Sequence, residues 1–275
     1  MSKRSGVSLR LGSGLLRASH PGPTVAVTAL SGVLASAVGN DLPSIALLVV
    51  AVLTGQLSIG WCNDLVDATR DRRVGRRDKP IATGELPETV VRTALAVTLP
   101  ACVALSLLSG ARSGLTHLLL VVASGWLYNL GLKRTLWSWL PYAVAFGSLP
   151  AVVTLALSPP AAPPVWMLGT AALLGVGAHL VNALPDLDDD ATTGVRGLPH
   201  RLGLRVATVA AAVVLTVASV VTVVGPAGPT PRWAWFVLAF AVALAVVGLR
   251  GTGRTPFRAA IAIAFVDVAM LTLRG

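Results

Sequence analysis

Asn63, Asp67 and Asp71 stand four residues apart, and so do Asn182, Asp186 and Asp190. Positions i, i+4 and i+8 follow one stripe of an α-helix, so each trio can project in a single direction. Two carboxylates one turn apart repel unless a cation lies between them. Aspartates with an amide carbonyl are hard oxygen donors that suit Mg²⁺, which keeps several waters and shares its shell with substrate phosphates. Arg72, Arg73, Arg76, Arg77, Lys79, Lys133 and Arg134 supply charge to neutralise further phosphate oxygens. Two acidic sites under a basic rim, above an apolar shaft, describe a receptor for a diphosphate that carries a long hydrocarbon.

The two acidic stretches are copies. At a constant offset of 119 the pairs Asn63/182, Leu65/184, Asp67/186, Asp71/190, Gly75/194, Arg77/196, Pro80/199 and Gly84/203 are identical, eight matches in 22 positions. Four of the eight are Asn, Asp or Arg, in a chain where such residues are scarce, which chance composition does not explain, so the chain reads as internally duplicated. Four apolar spans separate the copies. Both motifs therefore emerge on the same membrane side, as in a parallel repeat about an axis along the membrane normal.

The elements that must position these residues are membrane spans. Of 275 residues 54% are hydrophobic and 12% charged, about half the roughly 25% of a soluble domain. Hydrophobicity on this scale excludes disorder and a soluble nucleic-acid binder, although the net charge is +10. Uncharged runs of 20 residues (113–132) and 26 residues (206–231) each suffice for one crossing. A run of 51 residues between Arg134 and Asp186 is divided by the prolines of 158–164. The same logic throughout predicts an all-α integral membrane protein of nine transmembrane helices, at 23–39, 43–63, 90–109, 114–131, 138–157, 165–184, 206–224, 233–249 and 256–273. They form a single domain over 1–275: repeat one at 23–131, repeat two at 138–249 and a ninth helix at 256–273. Ala35-Ser36-Ala37 has the form of a signal-peptidase site, but a long basic region and an immediate second span favour an uncleaved first helix.

Charge sets the orientation. With the N-terminus inside, 19 of the 22 Lys and Arg lie in the N-terminal stretch, in the 2–3, 4–5, 6–7 and 8–9 connections, or in the first turn of the helix that follows one of them. The positive-inside rule then gives N-in, C-out. Ten of the 12 acidic residues share that face. Trp137, Trp139, Trp166, Trp233 and Trp235 fall at helix ends as interfacial anchors. Cys62 and Cys102, in apolar surroundings, read as buried free thiols rather than a disulfide or zinc site. An EF-hand reading of the second motif fails, with Ala191 and Gly197 at the positions that require Gly and Glu. His179 and Gln56 read as packed polar residues, His117 as interfacial, and Asp267 as either a structural partner or a support for the site.

With these residues in place, the sequence resembles the UbiA superfamily of intramembrane prenyltransferases. The resemblance rests on Asn63, Asp64, Asp67 and Asp71, and on Lys79, Pro80 and Gly84 after them. It rests also on Tyr128, Lys133 and Arg134, and on Asp186, Asp190, Gly194, Arg196, Leu202 and Gly203. It implies an Mg²⁺-dependent membrane enzyme that moves a prenyl group from an allylic prenyl diphosphate to an acceptor, commonly aromatic, within the lipid bilayer. Asp67, Asp71, Asp186 and Asp190 would be the catalytic metal ligands, assisted by Asn63 and Asn182. Arg76, Lys79, Lys133, Arg134, Tyr128 and Arg17 would engage the diphosphate. The sequence departs from the family pattern at Lys79 in place of Arg, at Gly197 in place of Thr, and at Pro185, which should break helix 6. A terpene cyclase of the same fold, acting without acceptor, is the alternative. A cation-coupled transporter fits less well, because such sites lie near the bilayer midplane and these motifs lie at its edge. A CDP-alcohol phosphotransferase lacks its Asp-Gly and Ala-Arg spacing here. The Ala/Val/Arg-rich composition points to a high-GC bacterium, hence a plasma membrane with the site facing the cytoplasm.

Overall fold

The computed structural model describes residues 11–187 and 194–274. A helical stretch over 11–18 leads into α1 (Pro21–Ala37), α2 (Leu42–Arg73) and α3 (Glu88–Leu108). Helix α4 is continuous from Ala111 to Leu130 but contains a π-helical segment, His117–Val122. After short 3-10 turns at Leu132–Arg134 and Leu136–Trp139 come α5 (Leu140–Thr154) and α6 (Val165–Ala183). Helices α7 (Leu198–Val224), α8 (Arg232–Arg250) and α9 (Thr255–Arg274) complete the described chain, which is entirely helical. Six of its helical segments (α2, α3, Leu136–Thr154, α6, α7 and α8) are long and apolar enough to cross a membrane, whereas α1, also apolar, has 17 residues.

Three elements depart from the expected spans. Helix α2 runs ten residues past position 63, as the spacing of its polar stripe requires. Asp41 caps its start by accepting from Ser44 N–H at 3.0 Å, and Arg70, Arg72 and Arg73 occupy its last turn, where cations favour the helix dipole. Its 32 residues extend about 48 Å, well beyond the roughly 30 Å of hydrocarbon, so its C-terminal turns overhang the membrane edge. Helix α4 carries the π segment, a feature with no counterpart in the apolar pattern. Helix α7 begins at Leu198, with Gly203 (φ 75°) separating a first turn from the long span.

Neighbouring helices pack in chain order, and α9 returns to pack on α1, which closes the ring. One core joins Val27 and Leu34 of α1 to Leu48 and Val52 of α2, Val121 of α4 and Val152 of α5. The other is rich in alanine: Ala207, Ala211 and Ala218 of α7 meet Ala241 and Ala245 of α8 and Ala260 of α9. Small side chains let helices approach closely where lipid supplies no hydrophobic drive between them. A third cluster, Ala18, Trp61, Ala68, Ile81, Leu86 and Val91, sits at the motif end of α2 and pins the α2–α3 connection.

One polar residue lies deeper than expected, and another has a partner that the sequence did not name. His117 is not interfacial: it is buried on the π segment, with Nδ1 2.8 Å from Ser106 Oγ of α3. Asp267 accepts from Ser219 Oγ at 3.1 Å, and so has a structural partner on α7. Both cysteines are free and buried.

Backbone geometry follows the sequence repeat at both glycine pairs. Gly75 and Gly194 have φ of 69° and 79°, and Gly84 and Gly203 have 78° and 75°, a region that favours glycine. Gly60 serves a different purpose. A Cβ there would lie 2.5 Å from Ser19 O, so its absence lets the stretch before α1 lie against α2. Gly60→Ala is expected to lower the unfolding temperature in detergent micelles by several degrees, consistent with a cost of about 1–3 kcal/mol for overpacking. Gly169→Ala, at an open helical position with nothing within 4 Å, should leave it unchanged or slightly raised.

Candidate functional site

Asn63, Asp67 and Asp71 lie on one stripe of the overhanging end of α2, and both carboxylates are buried. Lys133, from the 3-10 turn after α4, donates to both Asp67 oxygens at 2.7 and 2.6 Å. Its side chain is 5% exposed and that of Asp67 is 3%, so this is a buried ion pair. Burial pulls the Lys133 ammonium below its ordinary pKa, and the attraction of Asp67 opposes that pull. Arg70 reaches Asp67 Oδ2 at 3.3 Å and Asp71 Oδ1 at 3.3 Å, straddling the two carboxylates. The like charges one turn apart are thus compensated by cations from the chain itself.

Asn63 is oriented from α4. Asn129 Nδ2 donates to Ile59 O at 2.9 Å, which leaves Asn129 Oδ1 to accept from Asn63 Nδ2 at 3.0 Å. With its amino group so engaged, Asn63 presents its carbonyl oxygen. An amide carbonyl and two carboxylates on one helical stripe form the hard-oxygen set that Mg²⁺ takes. Among the described residues no three His, Cys, Asp or Glu side chains already converge into a cage.

Asp64 points elsewhere. Its side chain is 1% exposed, and its Oδ1 accepts from Lys79 Nζ at 2.6 Å and lies 2.9 Å from His20 Nε2. The α2–α3 connection that delivers Lys79 is held by Ile81 and Leu86, both buried, and by backbone bonds from Thr83 N to Lys79 O and Leu86 N to Pro80 O. The other expected diphosphate-binding cations are engaged or exposed. Arg76 makes two hydrogen bonds of 2.9 Å to Asp78, which hold that carboxyl down to about 2. Arg17 pairs with Glu85, both exposed, and Arg134 is exposed beside Lys133. Tyr128 packs edge-on against Tyr142 (5.2 Å) and His179 (5.8 Å).

The second motif differs in its backbone. Helix α6 ends at Ala183 and Leu184–Asp186 is a 3-10 turn, because Pro185 cannot continue the helix. The expected i, i+4, i+8 helical stripe through Asn182, Asp186 and Asp190 is therefore interrupted after Asn182. Asn182 hydrogen-bonds the Tyr142 hydroxyl. Asp190 and the side chain of Asp186 lie outside the described residues. Beyond them the chain returns against the Lys133 turn. Leu198 N donates to Ser138 Oγ at 2.8 Å, Ser138 Oγ lies 3.0 Å from His179 Nε2, and a Cβ on Gly197 would lie 2.6 Å from Lys133 O. The departure from Thr at Gly197 thus accompanies a close approach that only glycine allows.

Spacing alone did not reveal Arg70, Asn129, His20 or the separate role of Asp64. Arg70 was visible as the cation between the two aspartates. Asn129 carried no signal beyond its place beside Tyr128.

Long apolar helices, with an acidic helix end whose carboxylates are paired to buried cations, define an integral membrane protein. The UbiA prenyltransferase family model matches residues 24–270, and the chain belongs to that family. It is 33% identical over 190 residues to the bacteriochlorophyll synthase 33 kDa chain of Cereibacter sphaeroides, an alignment covering 62% of this chain and 60% of that one. The fold is similar to an apo UbiA homolog from Aeropyrum pernix K1 (TM-score 0.69, 17% identity, 96% of this chain and 98% of that one). It is also similar to a UbiA homolog from Archaeoglobus fulgidus bound to GPP and Mg²⁺ (TM-score 0.67, 14% identity, 94% and 98%). The same homolog bound to DMAPP and Mg²⁺ gives a TM-score of 0.69 at 16% identity, covering 94% and 99%.

Lys133→Met leaves the Asp67 carboxylate buried with only the longer Arg70 contact, a loss approaching the about 3–5 kcal/mol of a broken buried pair. Thermal unfolding in micelles should show Lys133→Met well below the parent. Asp67→Asn combined with Lys133→Met should recover much of that loss; additive losses would deny the coupling.

Proposed function

We propose that this chain transfers a prenyl group from an allylic prenyl diphosphate to an aromatic acceptor in an Mg²⁺-dependent reaction. The observation that carries the reading is the Asn63–Asp67–Asp71 stripe at the overhanging end of α2, its two carboxylates buried with Lys133 and Arg70 already against them. Solved UbiA homologs bound to GPP or DMAPP with Mg²⁺ support prenyl diphosphate use, and a relative named as a bacteriochlorophyll synthase chain supports an aromatic acceptor.

In this reading Asn63, Asp67 and Asp71 hold one metal, and Asn182, Asp186 and Asp190 hold its counterpart. When bound, Mg²⁺ neutralises charge on the departing diphosphate. Lys133 and Lys79, with Arg134, Arg76 and Arg17 at the rim, bind the remaining oxygens and favour the state in which the C–O bond has ionised. Ammonium and guanidinium groups fixed before substrate arrives need no reorganisation during the reaction. Tyr128 and Tyr142 line the adjoining space, where an aromatic face stabilises an allylic cation and excludes water. The apolar helices below accommodate the hydrocarbon.

The same reading places nine spans in a bacterial plasma membrane, N-in and C-out, with the site facing the cytoplasm and two repeats related by the 119-residue offset. The matched φ values of Gly75/194 and Gly84/203 support the repeat.

Asp67→Asn and Asp186→Asn should each abolish Mg²⁺-dependent diphosphate release while the protein still inserts and purifies as a folded species. Unchanged turnover in both would remove the two-site mechanism. Product analysis by mass spectrometry, with prenyl diphosphates supplied with and without aromatic acceptors, distinguishes transfer from cyclisation: a cyclic hydrocarbon formed without acceptor would establish the cyclase instead. A reporter inserted at 158–164 should be labelled from outside the cell, and cytoplasmic labelling would overturn the topology.

A further inference from the structure

Asp64, Lys79 and His20 form a three-membered cluster in which one carboxylate oxygen serves two partners. Lys79 Nζ lies 2.6 Å from Asp64 Oδ1, His20 Nε2 lies 2.9 Å from the same oxygen, and Nζ and Nε2 are 3.0 Å apart. Asp64 Oδ2 is buried and has no hydrogen-bond partner among the described residues. The single ring nitrogen cannot satisfy both neighbours. It can donate to the carboxylate or accept from the ammonium, and either choice sets one contact against a like partner.

The chain holds His20 there at a conformational cost. His20 has φ 54°, a left-handed backbone uncommon outside glycine and further disfavoured by the following Pro21. The stretch that carries it is fastened to α2 by Trp61 Nε1 donating to Leu15 O at 2.9 Å and by the close approach of Ser19 to Gly60. Thr24 Oγ1 donates to Ser19 O at 2.7 Å and closes the turn into α1. Gly60 and Asp64 are one turn apart on α2, so a single face of that helix seats the stretch and meets its imidazole. Strain that survives because the surroundings enforce it marks a position with a task.

We propose that His20 is a positioning residue that takes over Asp64 when Lys79 turns to the diphosphate. This rests on the reading above that Lys79 binds diphosphate. Lys79 cannot leave Asp64 without leaving a buried carboxylate whose one other hydrogen-bonding neighbour among the described residues is His20, which is strongly unfavourable unless His20 takes its place. With Lys79 gone, Nε2–H of His20 donates to Asp64 Oδ1 without competition, and the conflict at the ring nitrogen is resolved. The cluster therefore has two arrangements: one in which Lys79 holds Asp64, and one in which His20 does while Lys79 serves the phosphate. Asp64, although part of the acidic motif, acts through Lys79 rather than on the metal.

The test compares binding with stability. Calorimetric titration of Mg²⁺ and geranyl diphosphate into detergent-purified protein should show His20→Ala weakening affinity by about tenfold, near 1.4 kcal/mol. Thermal unfolding of the ligand-free protein should change little, because Lys79 still holds Asp64 there. His20→Gln, which retains an N–H donor, should restore most of the affinity. In an Asp64→Asn background His20→Ala should have no further effect, since no buried charge needs a substitute partner. Equal loss in both backgrounds, loss confined to ligand-free stability, or unchanged affinity in His20→Ala would each overturn the proposal. Lys79→Ala separates this from the underlying reading: unchanged affinity in that variant refutes a diphosphate role for Lys79 and so withdraws the proposal's premise. Weakened affinity in Lys79→Ala with none in His20→Ala refutes the role of His20 alone.

Discussion

The buried pair between Asp67 and Lys133 is the constraint on which the rest of the site depends. It joins the overhanging end of α2 to the turn between α4 and α5. That turn in turn receives the chain from the second motif, through Gly197 against the Lys133 carbonyl and Leu198 N–H on Ser138. A buried ion pair stabilises a fold little once desolvation is counted. Its value here is geometric: an ammonium is fixed, dry and oriented, at a place where an anion is expected to bind. The first acidic motif, the basic turn and the segment that follows the second motif thus meet in one small region.

Scarcity of charge made much of this legible. With so few polar residues in apolar surroundings, the four-residue spacing of Asn63, Asp67 and Asp71 stood out, and it required α2 to continue as helix beyond the membrane edge, as it does to Arg73. Pro185 likewise announced the break after α6. Roles within a motif were harder to read. Asp64 and Asp67 are three residues apart in the same acidic run, yet one meets Lys79 and the other Lys133. Which cation each receives depends on connections that fold back from 15 and 66 positions away. Asn129 was invisible for the same reason, since its importance lies in a contact across helices rather than in a local pattern.

The spans themselves were legible in position but not in their facing. In water a helix advertises its buried side by a polar opposite face; in lipid both faces are apolar and that signal is absent. His117 shows the consequence. Its place near the end of an uncharged run suggested the interface, but the π segment of α4 turns it inward against Ser106. The alanine seam of α7 to α9 was equally unmarked, because alanine occurs throughout the chain.

The contact between α9 and α1 bears on how the protein is made. Helix α1 leaves the ribosome long before α9 and finds this neighbour only after α9 has been synthesised. Until then α1 presents Leu30, later part of a core shared with Ile263 and Ala264, to lipid or to an insertion factor. The motif end of α2, by contrast, meets its partners from the stretch before α1, the α2–α3 connection and the α4–α5 turn. The first half of the charged site can therefore assemble during translation, while closure of the helical ring around it waits for α9.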